Sequence, residues 1–540
     1  MSDVRATSRE VDLTRMFPWM RLLRTFLVAL DPFKLIVAAA GILLTALGWW
    51  LISLIVLNSW TVPKEADYVV SPSKATQDRT REQLQTEKDR EFKLDDDRYK
   101  MIRILADQGG TYRTWPWMED RGPNPYFLAK SVVGGTPGER RDLIEWFYSH
   151  QAPNLIEPLR KFLSPIIFLF DARSDFWVRV YLMALVVWMM ICWAFFGGVL
   201  TRMSILQLAG RDGGGLRDAM RFVGKRYISY LISPIVPLGF IALVVVGCMF
   251  FGFIHMIPAI GEFVDGILWF IPLGAGFVIA LLLVGLVGYP LMYSTLSAEG
   301  SDTFDAISRS YNYVYESPWS YAWYWFISML YGAVVIFFVV FMSSAMVYLG
   351  KWAIGTTPWI QSANASPEYL FLKAPTSFGW KQVLLEGTDS AIDKNGAYLY
   401  PEKAAVYLSE DNFASYKWMG ASMVSFWLTL FFLMMLGFAY SYFWTQASMI
   451  YLLMRKKVDE TEIDEVYLEE TAPEVPVSAA PAPLPRLASS PAAAPATIDL
   501  GTARVPAPAP TPVEPPKPAP VEPTPAPVEQ PKPEGEQPGS

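Results

Sequence analysis

Six long apolar runs cross the 540-residue chain, and almost no charged residue falls inside any of them. A helix needs about 20 consecutive apolar residues to cross the hydrocarbon core of a bilayer. Core helices of soluble domains are usually shorter and keep a polar face. The pattern therefore predicts an all-α integral membrane protein with six transmembrane helices. The predicted spans are Leu35–Leu57, Phe176–Leu200, Leu231–Met256, Ile267–Ser294, Phe326–Leu349 and Met419–Leu453.

The first run, Leu35–Leu57, has a signal peptide as its alternative. A signal peptide has an apolar region of only about 7–15 residues, followed by a cleavage site with small residues. This run is longer, and it contains Trp49 and Trp50 before a further apolar stretch. We therefore interpret it as a retained first span.

The distribution of Lys and Arg predicts the direction of the spans, because these residues accumulate on the cytoplasmic side of a membrane. The connection 257–266 has no Lys or Arg, whereas 295–325 contains only Arg309 and is the weakest support. Both termini are expected in the cytoplasm. The basic residues behind this prediction are Arg5, Arg9, Arg15, Arg21, Arg24, Lys34, Arg202, Arg211, Arg217, Arg221, Lys225, Arg226, Arg455, Lys456 and Lys457.

The spans divide the rest of the chain into segments of different character. The stretch 16–30 is predicted to form an interfacial helix or a helix packed on the spans, and 155–170 to lie at the outer membrane surface. The tail is rich in proline and poor in large apolar residues, so it cannot build a core. The segments are a cytoplasmic N-terminus (1–34), extracytoplasmic segments (58–175 and 350–418), cytoplasmic connections (201–230 and 295–325), a charged juxtamembrane segment (454–470) and a disordered Pro/Ala-rich tail (471–540).

The residue inventory argues against several classes of chemistry. The chain has two cysteines, Cys192 and Cys248, and two histidines, His150 and His255. This supply makes a haem, copper or zinc site improbable, so no metal or cofactor is predicted. No nucleotide-binding loop, serine-hydrolase or zinc-protease motif is present. We predict a protein that is not an enzyme and has no nucleic-acid partner.

Charged residues inside spans usually mark ion or proton pathways. Arg179 is the one candidate, and it lies near the end of its span, where it can reach the interface. The sequence therefore argues against an ion-coupled transporter. It leaves a channel-like or lipid-handling groove open.

Two connections carry a similar pattern at the start of a short predicted helix. One contains Asp218, Ala219 and Arg221, and the other contains Asp305, Ala306 and Arg309. The similarity indicates either a structural repeat, as in some transporters, or two unrelated amphipathic helices. The first also matches the start of a coupling helix of ABC importers, with a glycine six residues after its aspartate, but the second lacks that glycine. Both sets are candidate docking or repeat residues, together with the juxtamembrane basic residues Arg455, Lys456 and Lys457.

Four further stretches are distinctive: 30–32 (Leu-Asp-Pro), 289–292, 298–311 and 451–459. With these stretches, 22–470 resembles an uncharacterised family of multi-pass membrane proteins common in planctomycete bacteria. The resemblance implies a bacterial cytoplasmic (inner) membrane location. It adds no catalytic residue.

The sequence therefore favours a non-enzymatic membrane scaffold or accessory subunit. The alternative is a permease-like transport component for an uncharged or lipidic substrate. The expected partners are the lipid bilayer and proteins that bind the cytoplasmic connections or the Pro-rich tail. A polar-lined cavity between the spans would favour transport, and a sealed bundle would exclude it.

Overall fold

The protein is helical throughout its long elements. The computed structural model describes residues 17–57, 86, 88–97, 99, 115–119, 121–126, 151–169, 176–211, 215–258, 260–358, 367–385, 391–392, 398–399 and 415–468. The predicted tail, 471–540, lies outside them. The α-helices are α1 (Thr25–Ala29), α2 (Pro32–Leu57), α3 (Ala152–Leu155), α4 (Glu157–Leu169), α5 (Phe176–Leu208), α6 (Leu216–Lys225), α7 (Tyr227–His255), α8 (Ile260–Leu268), α9 (Phe270–Leu286), α10 (Tyr289–Glu299), α11 (Thr303–Glu316), α12 (Pro318–Gly355), α13 (Trp380–Leu384) and α14 (Ser415–Val458).

Shorter elements complete the described part. Residues 88–97 are helical. Strands β1 (Ala391–Ile392) and β2 (Tyr398–Leu399) pair antiparallel, with Ala391 opposite Leu399. Three 3-10 helices cover Pro18–Arg24, Pro367–Phe371 and Ser377–Gly379.

The apolar runs form helices of spanning length. Helices α2, α5, α7, α12 and α14 are long and apolar enough to cross a membrane, and α8 with α9 forms a pair bent by 53°. An all-α, membrane-embedded protein is therefore confirmed. The fourth run, Ile267–Ser294, is divided among α8, α9 and α10. Pro290 lies in the first turn of α10, where its missing N–H is tolerated, so a new helix begins there instead of α9 continuing.

One end of the bundle gathers the basic residues, and we call it the basic end. There Lys34 at the start of α2 donates to Ser204 near the end of α5, at 2.9 Å, and Ser204 lies 3.0 Å from Thr445 of α14. Lys457 of α14 contacts Ser320 at the start of α12. The helices α2, α5, α12 and α14 therefore alternate in direction.

Helices α2 and α14 approach each other closely at Gly437. A Cβ atom added there would lie 2.8 Å from the Leu35 carbonyl oxygen and 3.2 Å from the Ala39 amide nitrogen. Small residues allow this kind of close contact between apolar helices. Because the obstructing atoms belong to the backbone, no rotamer change can relieve the clash.

We expect Gly437→Ala to lower the stability of the protein by about 1–3 kcal/mol, through overpacking of the α2–α14 contact. Gly420→Ala on the same helix is the matched control, because its added Cβ would meet only the Leu370 side chain at 3.5 Å. Heat unfolding of the purified protein in detergent measures both. Equal melting temperatures for the two variants would contradict the prediction.

The N-terminal segment packs on the bundle. Leu22 and Ala29 are fully buried. Gln446 of α14 donates to the Leu22 carbonyl at 3.3 Å, and Ser441 donates to the Ala29 carbonyl at 2.8 Å. Of the two predictions for 16–30, the described part of this stretch therefore shows the helix packed on the spans.

Helices α7 and α9 contact the bundle near the basic end, and their other ends have few buried residues. Gly285 is the one buried residue of α9, and the buried residues of α7 end at Ile241. The remaining part of α7, up to His255, has no buried residue. The side of this pair that faces α12 and α14 therefore leaves space between the helices.

Candidate functional site

The predicted docking residues lie at the basic end. Ala219 and Ala306 are buried, whereas Asp218 and Arg221 are exposed. Helix α6 contacts α5 and α7, and α11 contacts α10 and α12. Each short helix thus packs on the helices immediately before and after it in the chain.

Helix α11 is tied into an ionic network. Its Arg309 contacts Asp305 and Glu299, each at 3.0 Å, and Asp459 at 3.8 Å. Glu299 also accepts a hydrogen bond from Tyr451 of α14 at 2.7 Å. Arg309 therefore links α11 to the end of α10 and to Asp459, the residue after α14, while its side chain stays 40% exposed.

Residues 459–468, which we call the C-terminal strap, fold back over the basic end. Arg455 is 3% exposed and donates to the carbonyls of Glu462 and Glu465. The amide of Tyr467 donates to the Ala298 carbonyl at 2.7 Å, and Arg202 donates to the Tyr467 carbonyl at 2.9 Å. The strap therefore depends on buried arginines.

We expect Arg455→Ala to release the strap, because its carbonyls lose their charged donor. Lys456→Ala is the matched control, since the Lys456 side chain is 41% exposed and its ion pair with Glu462 lies at the surface. Limited digestion with chymotrypsin, which cleaves after tyrosine, should cut at Tyr467 several times faster in the first variant. Cleavage at the same rate in both would contradict the assignment.

Non-spanning segments enter the bundle from the end opposite the basic end. These inserted segments are 115–119, 121–126, 151–169 and 367–385. Gln151 donates to the Ala333 carbonyl, near the middle of α12, at 3.0 Å. Lys161 and Pro116 line one small void with residues near the middle of three spanning helices, among them Thr45 and Trp193. Helix α4 therefore lies among the spanning helices and not at the outer surface as expected, and its polar face, which carries Glu157 and Lys161, is turned inward.

The inserted segments carry four buried charged residues, which we call the ionic cluster: Glu119, Arg121, Glu157 and Lys161. Their side chains are 1–9% exposed. Arg121 binds both carboxylate oxygens of Glu157, at 2.8 Å each, and also contacts Glu119. Lys161 lies 3.0 Å from Glu157 and 3.1 Å from Glu119. Two acids and two bases give a neutral cluster, and every charge comes from the inserted segments.

The electrostatics keep the ionic cluster charged. Burial by itself would raise the pKa of Glu157, but the charges and hydrogen bonds of Arg121 and Lys161 hold that pKa well below its ordinary value. The Arg121 pKa lies above its ordinary value because Glu119 and Glu157 outweigh the effect of burial. Glu157 therefore stays ionised at neutral pH, and it is poorly suited to carry protons. Its contacts assign it to holding the inserted segments together.

Helix α4 separates the ionic cluster from a groove. One face of α4 contributes Glu157 and Lys161 to the cluster, whereas Leu159 and Leu163 line a cavity of about 560 Å³. We call this cavity the lateral groove, because exposed residues at its edge such as Met329 open it to the side of the bundle. It is lined by Ile156, Leu159, Phe162, Leu163, Ile166, Pro234, Leu238, Ile241, Leu283, Leu286, Val287, Tyr289, Pro290, Tyr321, Ala322, Trp325, Ser328, Met329, Tyr442, Phe443 and Gln446.

Polar side chains of the lateral groove bond mainly to the protein itself. Gln446 accepts from Ser328 at 3.1 Å and donates to Thr25 and Tyr442, at 2.7 Å each. Tyr321 donates to the Val287 carbonyl at 3.0 Å. The groove therefore offers a largely apolar surface. It is not the polar-lined cavity that would favour transport of a polar solute, and of the expected substrates it fits a lipidic one. A charged molecule would lose its hydration there without compensation.

No protein-family model, curated protein or solved structure matches the chain. A function for this protein is therefore argued from the geometry of the ionic cluster and of the groove.

Sequence reasoning missed the ionic cluster. Glu157 and Lys161 are four residues apart, a spacing that places both on one face of a helix. Their partners Glu119 and Arg121 lie more than thirty residues earlier. The local signal was an amphipathic helix with two opposite charges on its polar face, a pattern common on protein surfaces. Only the packing shows that this face is turned inward.

Proposed function

We propose that the protein binds an uncharged lipidic molecule in the lateral groove and acts as a permease-like transport component for it. The observation that carries this proposal is a groove of about 560 Å³ among helices of spanning length, with its polar groups largely bonded internally. Binding sites for small ligands typically enclose about 300–1,000 Å³. A hydrocarbon chain is the ligand that this lining and this location favour.

The proposed setting is a bacterial cytoplasmic membrane, crossed six times, with both termini in the cytoplasm. The bent pair α8–α9 serves as one span in this topology. Arg455, Lys456 and Lys457 at the basic end support the orientation, since Lys and Arg are retained on the cytoplasmic side. A fluorescent protein fused after the tail should fluoresce, and a phosphatase fused there should be inactive. The reverse result would overturn the orientation.

Two measurements test the function. Native mass spectrometry of the protein purified from its membrane should show a bound lipid at near one-to-one ratio. In vesicles, the protein should accelerate transfer of a fluorescent diacylglycerol between leaflets. The proposal is contradicted if the purified protein carries no bound lipid and does not change the rate of transfer in vesicles.

A membrane scaffold is the second candidate, and exposed apolar residues at the basic end favour it. Met220 of α6 is 42% exposed and Phe304 of α11 is 69% exposed. Met220 directly follows the Asp-Ala pair of α6, and Phe304 directly precedes that of α11. A protein partner that is captured with the wild type and lost with Met220→Asp and Phe304→Asp would support scaffolding. Failure to capture any reproducible partner would count against it.

A further inference from the structure

A second, smaller space adjoins the lateral groove, and its walls are aromatic. It encloses about 30 Å³, and it shares Phe162, Pro234, Tyr289 and Phe443 with the groove. We call it the aromatic chamber. Its complete lining is Pro158, Phe162, Met189, Met190, Trp193, Pro234, Tyr289, Tyr293, Tyr440, Phe443 and Trp444.

Stacking fixes the aromatic rings of the chamber. Trp193 stacks on Tyr440 with ring centroids 4.8 Å apart, and Tyr293 stacks on Trp444 at 5.1 Å. Gly197 leaves room for the Trp444 ring, because a Cβ there would lie 2.7 Å from it. These stacked rings come from α5, α10 and α14, so three helices hold the chamber in shape.

Two buried donors of the chamber lack an acceptor. Trp193 is 7% exposed and Trp444 is 3% exposed. Neither indole nitrogen has a hydrogen-bond partner among the described residues. A buried donor without a partner is costly, and such groups usually meet a water or a ligand atom. The void is large enough for one oxygen atom.

Resting on the proposed function, we infer that the aromatic chamber receives the oxygen of a carbonyl or hydroxyl group, while the attached chain lies in the lateral groove. The indole N–H groups of Trp193 and Trp444 supply the donors. No charged residue lines the chamber. The nearby Lys161 is already neutralised by Glu119 and Glu157. The ligand class is therefore an uncharged lipid with an ester, ketone or alcohol oxygen.

Photolabelling of the full-length protein in detergent tests this inference with three diazirine probes: a diacylglycerol, hexadecane and palmitate. We expect the diacylglycerol to label peptides of the lateral groove about five- to tenfold more than hexadecane, the gain typical of buried hydrogen bonds. Trp193→Phe with Trp444→Phe keeps the rings and removes both donors. This double variant should lower diacylglycerol labelling to the hexadecane level.

The outcomes separate the two proposals. Equal labelling by diacylglycerol and hexadecane in the wild type would overturn the chamber and leave the groove intact, with a water as the occupant. Stronger labelling by palmitate would overturn the uncharged class. No groove labelling by any probe would overturn the proposed function itself. The wild-type comparison keeps the test decisive even where the double variant does not fold.

Discussion

Replacing Arg121 with Met should destabilise the protein by about 3–5 kcal/mol, which is the cost of removing one partner from a buried ion pair. Arg121 is 4% exposed and binds Glu157 through two hydrogen bonds of 2.8 Å. Without it, Glu119 and Glu157 share Lys161 alone, so the ionic cluster carries a net negative charge inside an apolar bundle. Chemical denaturation in detergent measures the loss.

A charge-balanced double variant distinguishes this electrostatic effect from lost packing. Arg121→Met with Glu157→Met leaves Glu119 paired with Lys161, which are 3.1 Å apart. Because a buried ion pair is often replaced by apolar residues at little cost, we expect the double variant to be more stable than Arg121→Met alone. Arg221→Met, at an exposed site of α6, should have little effect. A double variant less stable than the single one would show that packing, not charge, dominates.

The contacts of the inserted segments also show how these segments are held inside the bundle. The ionic cluster neutralises itself within those segments, and polar contacts to the spans include Gln151 with Ala333 and Asn124 with Ser344. Asn124 also donates to the Phe378 carbonyl at 2.8 Å, and Arg121 donates to Ser377 at 2.9 Å. The segments before α5 and after α12 therefore join each other inside the bundle. A neutral unit enters the apolar interior at far lower cost than separate charges would.

The spans could be predicted from sequence because each is a local property of about 20 residues. Helices α12 and α14 begin at Pro318 and Ser415, several residues before the predicted apolar runs. Their first turns contain polar and aromatic residues, which extend a helix but do not belong to a continuous apolar run. The ionic cluster depends on pairing between distant segments. Only the packed structure brings Glu157 to Arg121, which lies 36 residues earlier in the chain.

The groove and chamber show a different limit. Tyr289, Trp193 and Trp444 belong to three elements, and each looks like an ordinary apolar residue of a span or of its end. The hydrophobic pattern predicts that such residues face lipid or are buried in the core, but it cannot predict that they line a cavity. The space itself arises because α7 and α9 stand apart from α12, a relation between helices that no single stretch encodes.

Filling the lateral groove should remove the bound lipid without unfolding the protein. Ala322 of α12 lines the groove and is exposed there, so Ala322→Trp places a large ring in the space that the chain occupies. We expect the lipid retained after purification to fall about tenfold, which corresponds to about 1.4 kcal/mol of binding free energy. Quantitative mass spectrometry of the extracted lipid, normalised to protein, gives the ratio.

Ala353→Trp is the matched control for this variant, because Ala353 is an exposed residue of the same helix outside the groove lining. It adds the same apolar ring to the helix surface, so it reproduces any general change in affinity for detergent or lipid. Both variants should unfold at the wild-type temperature, since neither residue is in the core. If Ala353→Trp lost as much lipid as Ala322→Trp, the retained molecules would be lipid bound around the helices and not in the groove. A selective loss in Ala322→Trp assigns the lipid to the space between α4, α7 and α12.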